Sequence, residues 1–412
     1  MAEFLPFHGL LPRPEQAALV SAVPYDVVNS EEAAALAAGN PLSFLHVSRP
    51  EIDLAPGIDL HDDQVYAQAK IAFDKLCAEA PLVLDAGKHL YIYQLEMNGR
   101  TQTGIIGAAA AADYRSGVIK KHEKTRQDKE DDRTRHVMTL RSHTGPAVFT
   151  YREVADIDAL VEKEMTSPAL FNFTAPDGIR HTLWRVDEKT SETLAQLFAE
   201  QVPVFYIADG HHRSAAAART AAECAPGNPG HTGNEDYNYF LAVAFPKNQL
   251  AILPYNRVVK SLNGLTEAEF LAALDKEFTV TSCGADAAVD APGKFKFLLT
   301  DGVWRLAVPK FDLASLGVIG SLDASYLQDK VLAPLLGIAD PRTSCDIDFI
   351  GGIRGTGELE KHVASGRYAV AFSMPAVTVD QLMAIADAGE IMPPKSTWFE
   401  PKLRDGLVSH NF

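Results

Sequence analysis

Residues 202–213 read Val202-Pro-Val-Phe-Tyr-Ile-Ala-Asp-Gly-His-His-Arg213, and Ser214-Ala-Ala-Ala-Ala-Arg219 follows directly. The apolar part, Phe205 to Ile207, predicts a buried strand, and Gly210 permits a tight turn. The alanines that follow have the highest helix propensity of any residue. The polar residues between them therefore lie at a predicted strand-to-helix junction.

The start of a helix favours an anion, because its first backbone N–H groups are unpaired and face the positive end of the helix dipole. Arg213 adds a planar guanidinium that matches phosphate or carboxylate. This segment predicts a phosphate site. A plainer interpretation stays open, in which Asp209 only caps the helix while His211, His212 and Arg213 decorate its first turn.

Size and charge narrow the class of protein. The 412 residues suffice for two or three domains. Fifty-four acidic against 38 basic residues give a net charge of −16, which disfavours nucleic acid and anionic membranes as partners and favours a small molecule. We expect an anionic substrate, while the oligomeric state stays open.

The four cysteines are far apart and form no Cys-x-x-Cys pair, so their spacing predicts neither a zinc ribbon nor a dithiol redox site. They indicate a reducing compartment. The sequence shows no basic region followed by an apolar leader, and no run of about twenty apolar residues. We therefore expect a cytoplasmic protein.

Helix and strand signals alternate along the chain and predict a mixed α/β fold. We expect an N-terminal α+β region at 1–118, a central region at 119–250 and a C-terminal α/β region at 251–412. Helical spacing predicts a helix over 62–79. Asn98-Gly99 predicts a hairpin turn, and Asn40 to Val47 carries strand signals.

Residues 120–136 read KKHEKTRQDKEDDRTRH and hold seven Lys/Arg against five Asp/Glu, the reverse of the overall charge balance. The segment has no apolar face, so it is solvated or lines a polar site. One interpretation is a salt-bridged surface helix. The other is that His122 and Glu123, with Lys121 and Arg126 beside them, form one wall of an anion-binding cleft.

Six motifs occur in order along nearly the whole chain. They are Pro24-Tyr-Asp-Val27, Asn40-Pro41 with His46-Val47, His122-Glu123 with Thr125, Ala208-Asp-Gly-His-His-Arg213, Leu322-Asp323 with Leu327, and Met392-Pro-Pro-Lys-Ser-Thr-Trp-Phe-Glu-Pro-Lys402. Together they resemble the family of proteins of unknown function DUF1015. Its members are often encoded beside serine-biosynthesis genes.

The Asp-Gly-His-His-Arg segment is also similar to the Gly-x-x-Arg box of the ParB and sulfiredoxin superfamily, whose members include a free-serine kinase that uses a nucleoside diphosphate. The resemblance implies a ParB/sulfiredoxin-like central core and a serine or phosphoserine substrate. Two departures from the superfamily pattern exclude some of the activities found among its members. His211 and His212 stand where sulfiredoxin chemistry needs a cysteine, and the acidic charge opposes DNA binding of the ParB type.

These observations together predict phosphoryl transfer on a small hydroxy amino acid, of kinase or phosphatase type, with ADP or ATP and Mg²⁺ as cofactors. Glu123 is the expected general base, Asp209 a Mg²⁺ ligand or orienting carboxylate, and His211 a proton carrier. The expected phosphate or nucleotide contacts are Gly210, His212, Arg213, Lys121, His122 and Arg126. A P-loop kinase is excluded, because the chain has no Gly-x-x-x-x-Gly-Lys-Ser/Thr segment.

Two other functions stay open. The ParB relationship allows a nucleotide-binding regulatory module without turnover. A metal-dependent hydrolase at His122, Glu123, His211 and His212 is the third hypothesis, although adjacent histidines at a helix start do not readily ligate one ion together.

Overall fold

The computed structural model describes residues 1–79 and 81–412. Two compact units make up the chain. Unit 1 comprises residues 1–250 with 401–412, and unit 2 comprises residues 251–400. Both units mix helices and strands, which confirms the predicted mixed α/β class. The ParB/sulfiredoxin-like core and the three-region division stay predictions.

Unit 1 is built on one large sheet with helices around it. Its strands are β1 (Phe4–Leu5), β2 (Gly9–Pro12), β3 (Leu82–Leu84), β4 (Tyr91–Met97), β5 (Arg100–Ala110), β6 (Ile119–Lys120), β7 (Ser142–His143), β8 (Ala147–Tyr151), β9 (Phe171–Thr174), β10 (Arg180–Arg185), β11 (Phe205–Asp209), β12 (Tyr239–Pro246) and β21 (Ser409–Asn411). Its helices are α1 (Ala17–Val20), α2 (Ser30–Ala37), α3 (Leu45–Ser48), α4 (Asp63–Ala78), α5 (Ala111–Ser116), α6 (Gln127–Leu140), α7 (Ala155–Glu164), α8 (Glu188–Gln201) and α9 (His211–Cys224).

Unit 2 has its own sheet. Its strands are β13 (Ile252–Leu253), β14 (Tyr255–Val259), β15 (Phe278–Gly284), β16 (Phe295–Leu298), β17 (Trp304–Pro309), β18 (Ile347–Gly351), β19 (Val370–Ser373) and β20 (Trp398–Phe399). Its helices are α10 (Glu267–Glu277), α11 (Gly317–Gly320), α12 (Asp323–Leu327), α13 (Gly357–Ala364) and α14 (Val379–Asp387). The main sheet has the order β15-β17-β16-β19-β14-β18.

The nine-stranded sheet of unit 1 runs β6-β11-β8-β12-β5-β4-β10-β9, with β1 added beside β5. β11 pairs parallel with β6 and antiparallel with β8, near one end of this order. Its side chains Phe205 and Ile207 are fully buried in the main apolar core, together with Phe149 and Phe198. A second sheet, β3-β2-β21-β7, ties residues 401–412 into unit 1.

Local signals place several elements where the sequence predicts them. Asn98 and Gly99 both have positive φ, 53° and 76°, and connect β4 to β5 as the hairpin turn requires. Helix α4 begins after Asp62, whose side chain accepts the backbone N–H of Gln64 at 2.8 Å. The hairpin and the helix over 62–79 are confirmed.

The strand predicted from Asn40 to Val47 is wrong, because the chain forms the short helix α3 there. Leu45 and Val47 alternate in sequence as on a strand, yet both are buried in a cluster that includes Phe44 and Phe73. The backbone N–H of Phe44 donates to the carbonyl of Val20 rather than to a strand ladder. Tertiary packing overrides the local alternation here.

The charged segment is also more buried than a surface helix. Helix α6 begins at Gln127 and buries Asp132, Thr134 and His136. Asp132 accepts from the Tyr66 hydroxyl at 2.7 Å and from Arg133 Nε at 2.8 Å, so its charge is satisfied inside unit 1. Helix α6 thus has a buried polar side and an exposed side on which Asp131 and Arg135 form ion pairs, and both interpretations of the charged segment stay predictions.

The four cysteines are free. Within the described ranges 1–79 and 81–412, none of the helices combines the length and apolar character needed to cross a bilayer.

Candidate functional site

A bulge at the end of β11 shapes the site. Ile207 pairs with Phe149 and Asp209 pairs with Val148, which leaves Ala208 without a partner in the ladder. Such a bulge bends a strand and redirects the side chains that follow. Gly210 then adopts left-handed φ and ψ of 87° and 34°, and α9 begins at the next residue. The predicted strand-to-helix junction is confirmed.

The N-terminus of α9 presents free donors. The first N–H to bond within the helix is that of Ser214, which donates to the carbonyl of Gly210 at 2.9 Å. Among the described residues, the backbone N–H groups of His211, His212 and Arg213 have no acceptor. These three donors and the dipole of a fourteen-residue helix favour an anion at this position.

The charged segment and the α9 turn meet. The rings of His122 and His211 lie edge to face with centroids 4.5 Å apart. The backbone N–H of Arg126 donates to His212 Nε2 at 3.2 Å, and Glu123 Oε2 lies 3.6 Å from His211 Nδ1. The expected contact between the two segments is therefore confirmed, whereas the roles of their residues stay predictions.

The paired imidazoles are neutral at physiological pH. Burial lowers the pKa of His122 from about 6.5 to about 4. Burial, together with the neighbouring His122, holds the pKa of His211 well below its usual range. In the part of the chain that the structure describes, Nε2 of His211 has no hydrogen-bond partner, and the ring of His122 has only a loose contact with the backbone of Ile207. Buried polar atoms of this kind are available to a ligand or to water.

Asp209 is an ionised carboxylate held by cations. Its Oδ1 accepts the backbone N–H of Gly210 at 2.7 Å, and its Oδ2 accepts Lys402 Nζ at 2.9 Å. Burial raises the pKa of Asp209, but Lys402 and Arg213 outweigh burial and lower it below its usual range. Asp209 therefore stays charged and fixes the Lys402 ammonium at the turn.

Arg213 holds the turn from inside. Its guanidinium is 11 % exposed, lies 3.8 Å from Asp26 and 3.9 Å from Asp209, and donates to the carbonyl of Pro146. Burial lowers its pKa, but Asp26, Asp209 and Asp405 together outweigh burial and raise it. The guanidinium is thus mostly buried and lies between carboxylates, and its role as a phosphate contact stays a prediction.

A cavity of about 30 Å³ lies beside Arg213. Its polar lining comprises Tyr25, Ser48, Arg133, His136, His143, Thr144 and Asp405. This volume holds about two water molecules. His143 Nε2 and Ser48 Oγ have no hydrogen-bond partner in the described chain. Burial raises the pKa of Asp405 to about 7.

Other predicted contacts are partly engaged with neighbours. Lys121 Nζ lies 4.5 Å above the ring of Tyr114. The Arg126 guanidinium is mostly exposed and pairs with Asp128 at 2.7 Å. Both cations lie on the segment that contacts α9, although within residues 1–79 and 81–412 neither side chain donates a hydrogen bond to the α9 turn.

Two residues of the site were missed in the sequence. They are Asp26, close to Arg213, and Lys402, on Asp209. Both belong to motifs on which the family resemblance rests, Pro24-Tyr-Asp-Val27 and the segment ending at Lys402. A charged residue inside each motif is a signal for a functional role, but it does not show which residues these charges contact.

The surroundings of Asp209 do not fit a metal ion. Within residues 1–79 and 81–412, no group of three or more His, Cys, Asp or Glu side chains is placed to hold one. Both carboxylate oxygens of Asp209 already accept from Gly210 and Lys402. A hard dication needs several oxygen ligands. The Mg²⁺ cofactor and the metal-hydrolase alternative stay predictions that this arrangement does not favour.

Several solved structures resemble the chain at low identity. A mutant free serine kinase in complex with AMP is 15% identical with a TM-score of 0.36, covering 72% of this chain and 86% of that one. SbnI with a C-terminal truncation, from Staphylococcus aureus, is 12% identical with a TM-score of 0.38, covering 73% and 85%. A conserved hypothetical protein from Pyrococcus furiosus is 13% identical with a TM-score of 0.32, covering 73% and 93%. At these TM-scores nothing about the activity of this chain follows.

None of the curated proteins matches the chain. The family model described as "Protein of unknown function (DUF1015)" matches residues 4–325, which include the motifs from Pro24 to Asp323. The motif from Met392 to Lys402 lies beyond the matched residues. With more than half of its length matched, the chain belongs to the DUF1015 family, as its motifs predicted.

Proposed function

We propose that the chain transfers a phosphoryl group to or from a small hydroxy amino acid, as a kinase or phosphatase of serine or phosphoserine that uses ADP or ATP. One observation carries the proposal: three free N–H donors at the start of α9 lie beside two neutral imidazoles and a carboxylate. Phosphoryl transfer depends on such donors around the phosphoryl oxygens and on a group that accepts the hydroxyl proton.

In this proposal Glu123 is the general base. Its side chain is about half exposed, so a substrate hydroxyl can reach it, and its Oε2 lies 3.6 Å from His211 Nδ1. Because His211 is neutral, its ring can accept a proton at one nitrogen while it donates at the other. A proton taken by Glu123 can pass to His211, whose ring lies edge to face with that of His122.

Positive charge for the phosphate comes from several sides. Lys402 is fixed by Asp209, and Arg213 supports the same turn from below. Lys121 and Arg126 extend from the facing segment as flexible cations for a nucleotide, and His212 borders them through its bond to Arg126 N–H. Gly210, without a side chain, leaves the helix start open to the anion.

The proposal is tested by incubating the purified protein with serine or phosphoserine and with ADP, ATP or AMP, with and without Mg²⁺, while ³¹P NMR follows the phosphate. We expect a new phosphoester or inorganic phosphate signal in at least one combination. Nucleotide binding without any product would instead favour the regulatory module.

Glu123→Gln should abolish turnover and leave nucleotide affinity within a few-fold, because the substitution removes the base without changing the donors of α9. The loss expected for a missing general base is roughly 100- to 10,000-fold in kcat. Glu153→Gln, at an exposed position on the same unit, is the matched control and should leave turnover unchanged. Unchanged turnover in Glu123→Gln would remove this residue from the mechanism.

A further inference from the structure

Unit 2 contains a cavity of about 260 Å³ that the proposed function does not use. Its lining is mainly apolar: Ala324, Leu332, Ala339, Pro341, Phe349, Pro393 and Pro394. Pro393 and Pro394 come from the motif that starts at Met392, and Ala324 comes from the motif Leu322-Asp323 with Leu327. Parts of two motifs that lie in unit 2 therefore meet at one cavity.

One charged side chain, Arg257 of β14, lies buried in the wall of this cavity with 4 % of its surface exposed. Its guanidinium donates to the carbonyls of Tyr255 and, at a long 3.4 Å, of Lys395. The guanidinium carbon lies 5.7 Å from the ring centroid of Phe349. Among the described residues it forms no ion pair, and burial lowers its pKa to about 10.

The negative charge of Asp323 acts on Arg257 from a distance and raises its pKa, but among the described residues the two side chains form no ion pair. Asp323 Oδ1 accepts the backbone N–H groups of Gly293 at 2.8 Å and Lys294 at 3.1 Å, and also the Tyr326 hydroxyl. An uncompensated buried charge is costly. A counter-ion supplied from outside the chain would remove that cost.

The cavity also offers an unpaired acceptor. Gln328 Nε2 donates to the carbonyl of Ile338 at 2.7 Å, whereas Gln328 Oε1 is buried without a partner in the described chain. At the rim, Arg342 is mostly exposed and pairs with Asp340 at 2.8 Å. Arg257 and Gln328 are thus the polar groups that a ligand inside the cavity can engage.

We propose that this cavity is a binding site for a small organic anion. A carboxylate or phosphate pairs with Arg257, a flat apolar body packs against Phe349 and the prolines 393 and 394, and an N–H or O–H of the ligand donates to Gln328 Oε1. An arginine beside aromatic and proline surfaces suits such a ligand, since its planar guanidinium binds oxyanions in a bidentate way. The site is independent of the transfer chemistry in unit 1.

The test measures binding of four probes to the full chain by calorimetry and by thermal unfolding: AMP, benzoate, inorganic phosphate and adenosine. AMP and benzoate join an anion to a flat body, phosphate lacks the body, and adenosine lacks the charge. We expect AMP or benzoate to bind and raise the unfolding temperature, with phosphate and adenosine weaker by about tenfold or more.

Arg257→Met should weaken binding of the organic anion roughly 10- to 100-fold. The ligand-free variant should unfold at the same or a higher temperature, because a buried charge has been removed. If Arg257 served only to stabilise the fold, the ligand-free variant should instead unfold at a lower temperature. Arg354→Met, an exposed position on unit 2, is the matched control and should behave as the unchanged protein.

Benzoate binding that survives Arg257→Met unchanged would overturn the proposal, as would failure of both organic anions to bind. If Arg257→Met does not fold, Ala339→Trp tests the same proposal, because it should also abolish binding of benzoate. Ala339 is exposed at the mouth of the cavity, so a large side chain there should block entry without disturbing the core. Turnover in unit 1 should be unaffected by either variant, which separates this site from the proposed function.

Discussion

At the scale of single residues, the pairing of Asp209 with Lys402 organises the helix start. The Asp209 carboxylate accepts from the backbone N–H of Gly210 at 2.7 Å and from Lys402 Nζ at 2.9 Å, so it holds the ammonium group at the turn. A carboxylate placed alone beside three free N–H groups would compete with an anionic ligand for them. Lys402 offsets that negative charge and leaves the donors to the ligand.

Lys402→Met should therefore weaken phosphate or nucleotide binding about tenfold while costing only ~1 kcal/mol of stability, because the pair is partly exposed to solvent. Isothermal titration with ADP and urea unfolding measure the two effects. Lys402→Arg keeps the charge and should retain most of the affinity. Equal affinity in the methionine variant and the parent would show that Lys402 serves Asp209 alone.

At the scale of elements, the bulge, the glycine and the helix act as one unit. Gly210 has φ of +87°, and a Cβ there would lie 3.2 Å from Cα of Ala147 and 3.2 Å from Nε of Arg213. The first contact is with backbone of the neighbouring strand, which cannot move away easily. The conformation and the close approach both select glycine.

Gly210→Ala should destabilise unit 1 by at least ~2 kcal/mol, from the left-handed conformation and from the contact with β8. Gly117→Ala is the control, since Gly117 also has positive φ, +80°, but has nothing within 4 Å of an added Cβ. It should cost ~1 kcal/mol. Urea unfolding compares the two, and equal losses would mean that the approach to Ala147 carries no cost.

The sequence predicts those elements whose signals are local. The turn at Asn98-Gly99, the helix over 62–79 and the strand-to-helix junction at Asp209 each depend on neighbouring residues, and each forms as predicted. Residues 40–47 fail because packing against Phe73 buries both sides of the segment. Local alternation does not report that kind of burial.

The residues of the candidate site likewise fall into those that local sequence signals indicate and those that they do not. Asp209 to Arg213 and His122-Glu123 are visible as two polar runs, and their contact follows from the sheet that pairs β6 with β11. Lys402 lies 193 positions from Asp209, and Asp26 lies far from Arg213 in sequence. No periodicity links residues so distant, so only the fold reveals them.

At the scale of the whole molecule, unit 1 holds the buried histidines. Burial lowers the pKa of His122 and of His136 to about 4, and of His181 to about 3. A histidine whose pKa is lowered by folding binds fewer protons folded than unfolded. Its contribution to stability is present above about pH 6.5 and is lost as pH falls from about 6.5 toward about 4.

We therefore expect mild acid to destabilise unit 1 first, by about 1.4 kcal/mol per pH unit for each such histidine within this window. Asp405, whose pKa is raised to about 7, stabilises unit 1 as the pH falls, but this single group opposes several histidines. Hydrogen exchange at pH 7.5 and pH 5.5 should show protection lost in unit 1 before unit 2, and simultaneous loss in both would contradict this account.

Unit 1 is formed by two segments that are separated in sequence, so the ribosome synthesises them at different times. Residues 251–400, all of unit 2, are synthesised between the large sheet and the returning segment 401–412. At ordinary translation rates those 150 positions take roughly 10 to 30 s. During that delay the nascent unit 1 has neither β21 nor the ammonium of Lys402. The ion pair between Asp209 and Lys402 at the start of α9 therefore forms only after unit 2 has been translated.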